Sequence, residues 1–591
     1  MPPARQMRRE RSRRRPTLRR RAKAQRAIAL AWPAPTGSAV RRLATRMLLV
    51  WTLAATGAAL PLPPLGPVPP AAADPADPAA DRNAVLDLTF PVPGEVTFAD
   101  DYDEPRGDRD ERVHQAVDVY GPKLARVHAV AAGTVCVMTD GAVGGWQVSV
   151  CDGAGRRMAY THLNDDQPSF AEGAREPSFP AGGSGAGGPV FAYAPGIAPG
   201  VEVRRGQLLG WAGDSGNAAV DPDGPQLHLS IFDEHLRDPA LGSGAYHQGY
   251  RNPYPSLRAA VDRGDVPADA RPLAATRMAG PERISTAVAV SRATFPSAEA
   301  VVLVPADRPA PALVAAPLAA ALGGPVLLTG SAGVPEAVSV ELQRLGARHA
   351  VMVGLPPSAA LEPALAAAGV SRVERVEADD DPALSAMVAS RLPDPPSRVL
   401  LARSGAGDDP RSWPDALTAA ALGARRGSPV LLTPPDRLVD AVADALGGLR
   451  PDLVEVVGGT AAVSAAVLDA AQEAAGAPAA RLAGSDRYGT AVAVARAAEA
   501  DPWPPAQQLW LATGRAWPDA LAAGAAAAAA GAQLMLIDGA DPAGSPVVAS
   551  WLLQRAAAGE GAGELRILGG RAAVSDASAA YAALVAARED S

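Results

Sequence analysis

One block of this sequence comes back after 104 residues, and the C-terminal half of the chain has to fold around that period. SWPDALTAAALGARRGSPVLLT, from Ser412, returns as AWPDALAAGAAAAAAGAQLMLI from Ala516, so that Trp413 and Trp517 are 104 positions apart. A further step back of 104 reaches Pro309 in PAPALVAAPLAAALGGPVLLT, which keeps the Ala-Leu pair and the apolar run after it but lacks Trp and Asp. RMAGPERISTAVAVSRA from Arg277 matches RLAGSDRYGTAVAVARA from Arg481, 204 residues on and about two periods away; the middle copy, RVEADDDPALSAMVASR from Arg375, is eroded. Each unit closes on an apolar run and a turn: VMVGLPPSAA, VEVVGGTAAVS and LRILGGRAAVS. Apolar strands alternating with Ala-rich helical segments build parallel-sheet α/β units, and a period of this length suffices for a small domain. Three such repeats are expected, at 271–373, 374–478 and 479–588.

Charge is spread unevenly over the rest. Residues 1–46 hold 15 basic groups against the single acid Glu10, which leaves 40 of the 55 basic and 62 of the 63 acidic groups to the remainder. So acidic a body is a poor general binder of nucleic acid, whose sequence-independent affinity comes from Lys and Arg on phosphates. The arginine-rich lead runs instead into an uncharged apolar stretch, Met47 to Leu60, and then to Ala71 and Ala73 ahead of Asp74. That is the order of an export signal, here 1–73, followed by a Pro/Ala linker at 74–84. The 14 residues of the apolar stretch fall short of the roughly 20 needed to cross a bilayer, so no stable membrane span is expected after signal cleavage.

Between 85 and 262 the pattern changes to short β-type runs separated by Gly, Pro and Asp, with one long connection from Asn164 to Gly200. Cys136 and Cys151 flank two strand-like runs around a Gly-rich turn; in an exported chain they either form a disulfide across the hairpin or stay as buried thiols. In PQLHLSIF, Leu227, Leu229 and Ile231 alternate with Gln226, His228, Ser230 and Phe232, the signature of a half-buried strand. In RVHQAVDVY, His114 and Asp118 are four apart, which puts both on one face if the segment is a single strand. Two histidines and a carboxylate plus water make up a catalytic rather than a structural zinc site.

FPVPGEVTF, HQAVDVYGPKLARVHAVAAGTV, YTHLN, VRRGQLLGWAGDSGN and QLHLSIF follow one another as in the lysostaphin-type zinc metallopeptidases, which this region resembles from Phe90 to Leu257. The resemblance implies that His114, Asp118 and His228 hold Zn2+, and that His162 of Y-x-H-L assists at the scissile carbonyl. That family pairs this histidine with the first His of an H-x-H; here the position is Gln226. An amide donates a hydrogen bond but exchanges no proton near neutral pH, so acid/base work would fall on His162.

The C-terminal units resemble the cell-wall-binding repeat type 2 modules of Gram-positive surface proteins, with their R-x-x-G-x-D-R-y-x-T-A-v, P-D-A-L and v-G-G-x-x-a-v-S segments. The third copy matches through Arg481, Gly484, Asp486, Arg487, Tyr488 and Thr490; the first lacks the Trp-Pro-Asp, and the second lacks the opening motif. The resemblance implies attachment to an anionic wall polymer, although an acidic chain needs local arginines or a bridging cation for that. Arg481 and Asp486 have a structural alternative, pairing within the fold. The expected whole is a multidomain protein, a β-rich metallopeptidase domain plus three tandem α/β (parallel-sheet, Rossmann-like) repeats. Its expected role is a secreted, cell-surface zinc metalloendopeptidase-like protein acting on peptidoglycan cross-bridges. The alternative is a catalytically impaired peptidoglycan-binding or hydrolase-regulating surface protein.

Overall fold

A computed structural model describes residues 81–106, 112–169, 178–179, 187–221, 223–237, 248–330, 333–405 and 413–587. The expected export signal, most of the 74–84 linker and part of the 164–200 connection lie outside them.

The N-terminal part is an antiparallel sheet in which the interior strand Gln226–Asp233 lies between Val117–Tyr120 and Arg156–Leu163. The sheet continues through Gly145–Cys151 and Gly133–Gly141. Alternation explains the interior strand: Leu227, Leu229 and Ile231 are fully buried against Val117, Val148 and Met158, and His228, Ser230 and Phe232 face the other way, half-exposed. Cys136 and Cys151 are disulfide-bonded. They are not direct partners in the ladder, because Cys136 is the extra residue of a bulge between the pairs Val135–Val150 and Val137–Ser149.

The C-terminal part contains three four-stranded parallel sheets. In order across each sheet they are Val326–Thr329, Ala300–Pro305, His349–Val353 and Arg372–Val376; Val430–Thr433, Arg398–Arg403, Leu453–Val457 and Ala479–Leu482; and Gln533–Ile537, Gln508–Thr513, Glu564–Leu568 and Ala275–Met278. The strand that opens each sequence copy thus completes the sheet of the copy before it, and the opening strand of the first copy closes the third sheet. The helices Pro309–Ala321, Pro414–Arg426 and Ala523–Ala529 pack on one another. Alanine and glycine let them approach closely: a Cβ on Gly524 would sit 2.9 Å from Ala316 Cβ.

The repeat motif forms the joints of this trio. Asp486 caps the helix Arg487–Glu499 by accepting from Gly489 N at 2.8 Å, as Glu282 and Asp380 cap its counterparts, each cap being worth about 1 kcal/mol. Arg481 donates to the carbonyls of Gly458 and Ser464, at 2.7 and 3.3 Å, so Arg481 and Asp486 act separately and not as a pair. Thr490 accepts from Gly484 N and hydrogen-bonds the buried carboxyl of Asp415, which belongs to the preceding copy. The third and first copies repeat this with Gly280, Thr286, Asp519 and Arg277, whose Nη1 donates to Gly569 O at 2.9 Å. At the joint between the first and second copies, Pro311 and Leu384 pack against Gly354, and Arg308 pairs with Asp381 at 2.6 Å.

The third copy also carries the N-terminal domain, within one compact unit spanning 74–591. Arg126 Nη2 donates to Ala587 O at 2.9 Å, and the Tyr581 ring lies 5.7 Å from Phe191 and 6.4 Å from Trp211, all three rings buried.

Candidate metal centre

Three strands and one turn bring the candidate ligands together. Asp118 and His228 are directly opposite in the ladder between Val117–Tyr120 and Gln226–Asp233. His114 was expected on the same strand as Asp118, but the segment splits into Arg112–Val113 and Val117–Tyr120. The backbone of His114 pairs instead with the turn at 101–104, donating to Glu104 O and accepting from Asp103 N, both at 2.8 Å.

His114 Nε2 lies 3.1 Å from His228 Nδ1 and 3.4 Å from Asp118 Oδ1, and His228 Nδ1 lies 2.8 Å from Asp118 Oδ1. A tetrahedral zinc with bonds of about 2.0–2.2 Å separates its ligand atoms by about 3.3–3.6 Å, so a slight expansion of this triangle accepts the ion. Nδ1 of His114 faces Asp101, 3.0 Å from its carbonyl and 3.1 Å from its Oδ2, which makes Nδ1 the donor to Asp101 and turns Nε2 toward the other two ligands. Donors of this kind, half-buried or buried and converging on one point, call for positive charge. Burial alone would lower the pKa of His114, yet hydrogen bonds to Asp101 and Asp118 push it up to about 9. Burial opposes ionisation of Asp118 as well, but hydrogen bonds from His114 and His228 hold it well below the usual carboxylate range. The residues present fit a zinc ion.

His162 adjoins this triangle, its ring 5.8 Å from that of His228. Thr161 and His162 oppose the single residue Gln147, and His162 takes a left-handed backbone with φ 61°, so a bulge turns its side chain out of the regular alternation. Nδ1 of His162 donates to Ser215 O at 2.8 Å, which fixes the tautomer with the lone pair on Nε2. Burial lowers its pKa and outweighs the hydrogen bond to Ser215 O, which raises it, so His162 is neutral at neutral pH. The Gly-Asp-Ser-Gly loop holds that carbonyl in place: Ser215 Oγ accepts from Trp146 N at 2.9 Å, and Gly216, at φ 72°, lies against the backbone of Val143 and Gly145, where no side chain fits.

Gln226 is buried on the same strand face as His228. Its Nε2 donates to Asp221 Oδ2 at 3.3 Å and its Oε1 is unpartnered. The sequence reading missed three charged residues here, Asp101, Arg106 and Asp221; Asp101 and Arg106 lie in the acid-rich run FADDYDEPRGDRDER, where nothing in the spacing singles them out. A second acidic group, Asp165, Asp166 and Asp214, already surrounds an ammonium, that of Lys123, which pairs with Asp166 and, at 2.7 Å, with Asp214. Of the histidines expected to be structural or solvent-facing, His128 is buried and His235 exposed.

Fold and site together define an architecture in which an antiparallel β domain with a two-histidine, one-aspartate cluster is joined to three interlocked α/β repeats. Residues 277–356, 375–468 and 481–579 match the family model of the cell wall binding domain 2 (CWB2), and the chain carries three such repeats. It is 25% identical over 265 residues to the N-acetylmuramoyl-L-alanine amidase LytC of Bacillus subtilis, covering 44% of this chain and 50% of that one, so it spans about half the length of this curated relative. Among solved structures, Cwp6 from Clostridium difficile aligns over 72% of this chain and 66% of its own, with 18% identity and a TM-score of 0.47. The catalytic domain of the antimicrobial peptidase lysostaphin from Staphylococcus simulans aligns over 27% of this chain and 92% of its own, with 18% identity and a TM-score of 0.19. Among the described residues, no helix is long and apolar enough to cross a membrane.

Proposed function

We propose that the protein is an exported zinc metalloendopeptidase of the lysostaphin type that acts on the peptide cross-bridges of peptidoglycan and is held on an anionic wall polymer by its repeats. The observation that carries this reading is the convergence of His114 Nε2, Asp118 Oδ1 and His228 Nδ1 beside a neutral His162. Those three residues would hold Zn2+, which acidifies a bound water and polarises a peptide carbonyl. His162, its Nδ1 pinned by Ser215 O, keeps Nε2 open to take a proton and later return it. Gln226 offers one amide hydrogen to Asp221 and can aim the other at a developing oxyanion, but it relays no proton. A second reading, favoured by Gln226 alone, is a catalytically impaired protein that binds peptidoglycan or regulates another hydrolase.

The purified chain should contain about one zinc and release soluble fragments from peptidoglycan in a chelator-sensitive way, and His228→Ala should remove both properties. Zinc content that survives this substitution overturns the metal assignment. Fragment release indifferent to chelator overturns the enzymatic one. The repeats should pellet with purified walls and lose that property once the anionic polymer is extracted.

A further inference from the structure

Arg106 and Asp101 form a closed network with two of the three candidate ligands. A single nitrogen, Arg106 Nη2, lies 3.0 Å from Asp118 Oδ2 and 3.2 Å from Asp101 Oδ2. Its two hydrogens are satisfied by these two carboxylates. His114 Nδ1, 3.1 Å from the same nitrogen, is a donor to Asp101 and takes no part as an acceptor. Asp118 therefore has its two oxygens committed differently: Oδ2 to the guanidinium, Oδ1 toward the histidines. The loop that carries these residues is fixed to the same histidine through its backbone, by the bonds of His114 to Asp103 and Glu104.

We propose that Arg106 is a positioning residue of the metal centre, which makes Asp118 a one-oxygen ligand and, through Asp101, holds the His114 ring with Nε2 facing inward. This rests on the reading of the centre as a zinc site. An arginine suits the task because its donors are set in a rigid plane and it stays charged at every accessible pH. Two effects of opposite sign meet at this residue. The guanidinium repels a divalent cation nearby, and it preorganises two of the cation's ligands. The network geometry decides for preorganisation, since Nη2 is bonded to both carboxylates, whereas a guanidinium acting only as a neighbouring charge would need neither bond.

The test measures zinc affinity of the full chain by competition with a chromophoric chelator, and the visible spectrum of the chain loaded with Co2+. Arg106→Gln should weaken zinc binding about 10–100-fold, the usual cost of losing an outer partner of a metal ligand. Freed of its partner, Asp118 should close on the metal with both oxygens, and the cobalt spectrum should lose the intensity of a four-coordinate site. Asp101→Asn should also weaken binding, and the double variant should lose less than the sum, because the two residues form one network. Arg156→Gln, which breaks an ion pair with Asp152 elsewhere in the sheet, should leave affinity unchanged and controls for folding. Affinity that is equal or tighter in Arg106→Gln, with the four-coordinate spectrum retained, overturns the role of Arg106 and leaves the zinc reading standing. A parent chain that takes up no zinc overturns both.

Discussion

Lowering the pH from 7 to 4 should cost the β domain about 3 kcal/mol through one residue, His128. This histidine is buried on the strand Arg126–His128, whose Arg126 also reaches across to the third repeat. Burial first, and the neighbouring Arg126 charge second, push its pKa from 6.5 down to about 4. An unfolded chain accepts the proton near pH 6.5, and the folded chain refuses it until about pH 4. Between those limits the unfolded state binds more protons, so the contribution is complete above pH 6.5 and is lost as pH falls through the window. Each unit of difference is worth about 1.4 kcal/mol, which gives about 3 kcal/mol over the whole window. Urea unfolding followed by tryptophan fluorescence at pH 7, 5.5 and 4 measures it, with His128→Gln as the partner that cannot titrate there. The parent should lose about 3 kcal/mol more than the variant, and NMR should place the imidazole pKa near 4. Parallel profiles, or an imidazole that titrates near 6.5, would refute the reasoning.

Two further outcomes follow from the site and the joints. Gln226→His restores a group able to exchange a proton beside His228, and turnover of purified peptidoglycan should rise about 100-fold or more; turnover equal to that of the parent would show that Gln226 does not limit the reaction. Asp519→Ala strips Thr286 of its acceptor at the joint between the third and first copies and should destabilise the repeats by about 1–3 kcal/mol, with a similar loss for Asp415→Ala; thermal unfolding of the chain checks both, and losses under about 0.5 kcal/mol would mean the joints do not depend on these carboxyls.

Much of the architecture was legible because it is written in local patterns. Alternation around Leu227, Leu229 and Ile231 fixes a strand and its buried face, and the 104-residue period fixes three α/β units. What escaped the sequence depends on partners far away in the chain. Nothing in ATRM, residues 275–278, says that it pairs with Glu564–Leu568, because a parallel strand carries no mark of its neighbour. The left-handed bulge at His162 is invisible in YTHLN, since a histidine has no intrinsic need of positive φ. His114 reached the centre although its expected strand breaks: the turn at 101–104 supplies the backbone partners that a continuous strand would have supplied. Arg106 and Asp101 were hidden by company, since charged residues crowd that segment and only the fold selects the two that face His114 and Asp118.

The joints also change the meaning of the eroded copies. Read along the chain, the first copy lacks Trp-Pro-Asp and the second lacks the opening motif, which looks like two separate losses of a binding signature. In the fold these two segments face each other: Pro311 of the first copy stands where Asp415 and Asp519 stand in the others, and Leu384 of the second stands where Thr490 and Thr286 stand. Removing a buried carboxyl while leaving its hydroxyl partner would strand a polar group in the interior, whereas replacing both by apolar residues costs little. Arg308 and Asp381 then supply a new ion pair across the same seam. The two gaps are therefore two halves of one substitution, from a polar joint to an apolar one, and the motif residues Arg481, Asp486 and Thr490 are occupied in assembling the trio.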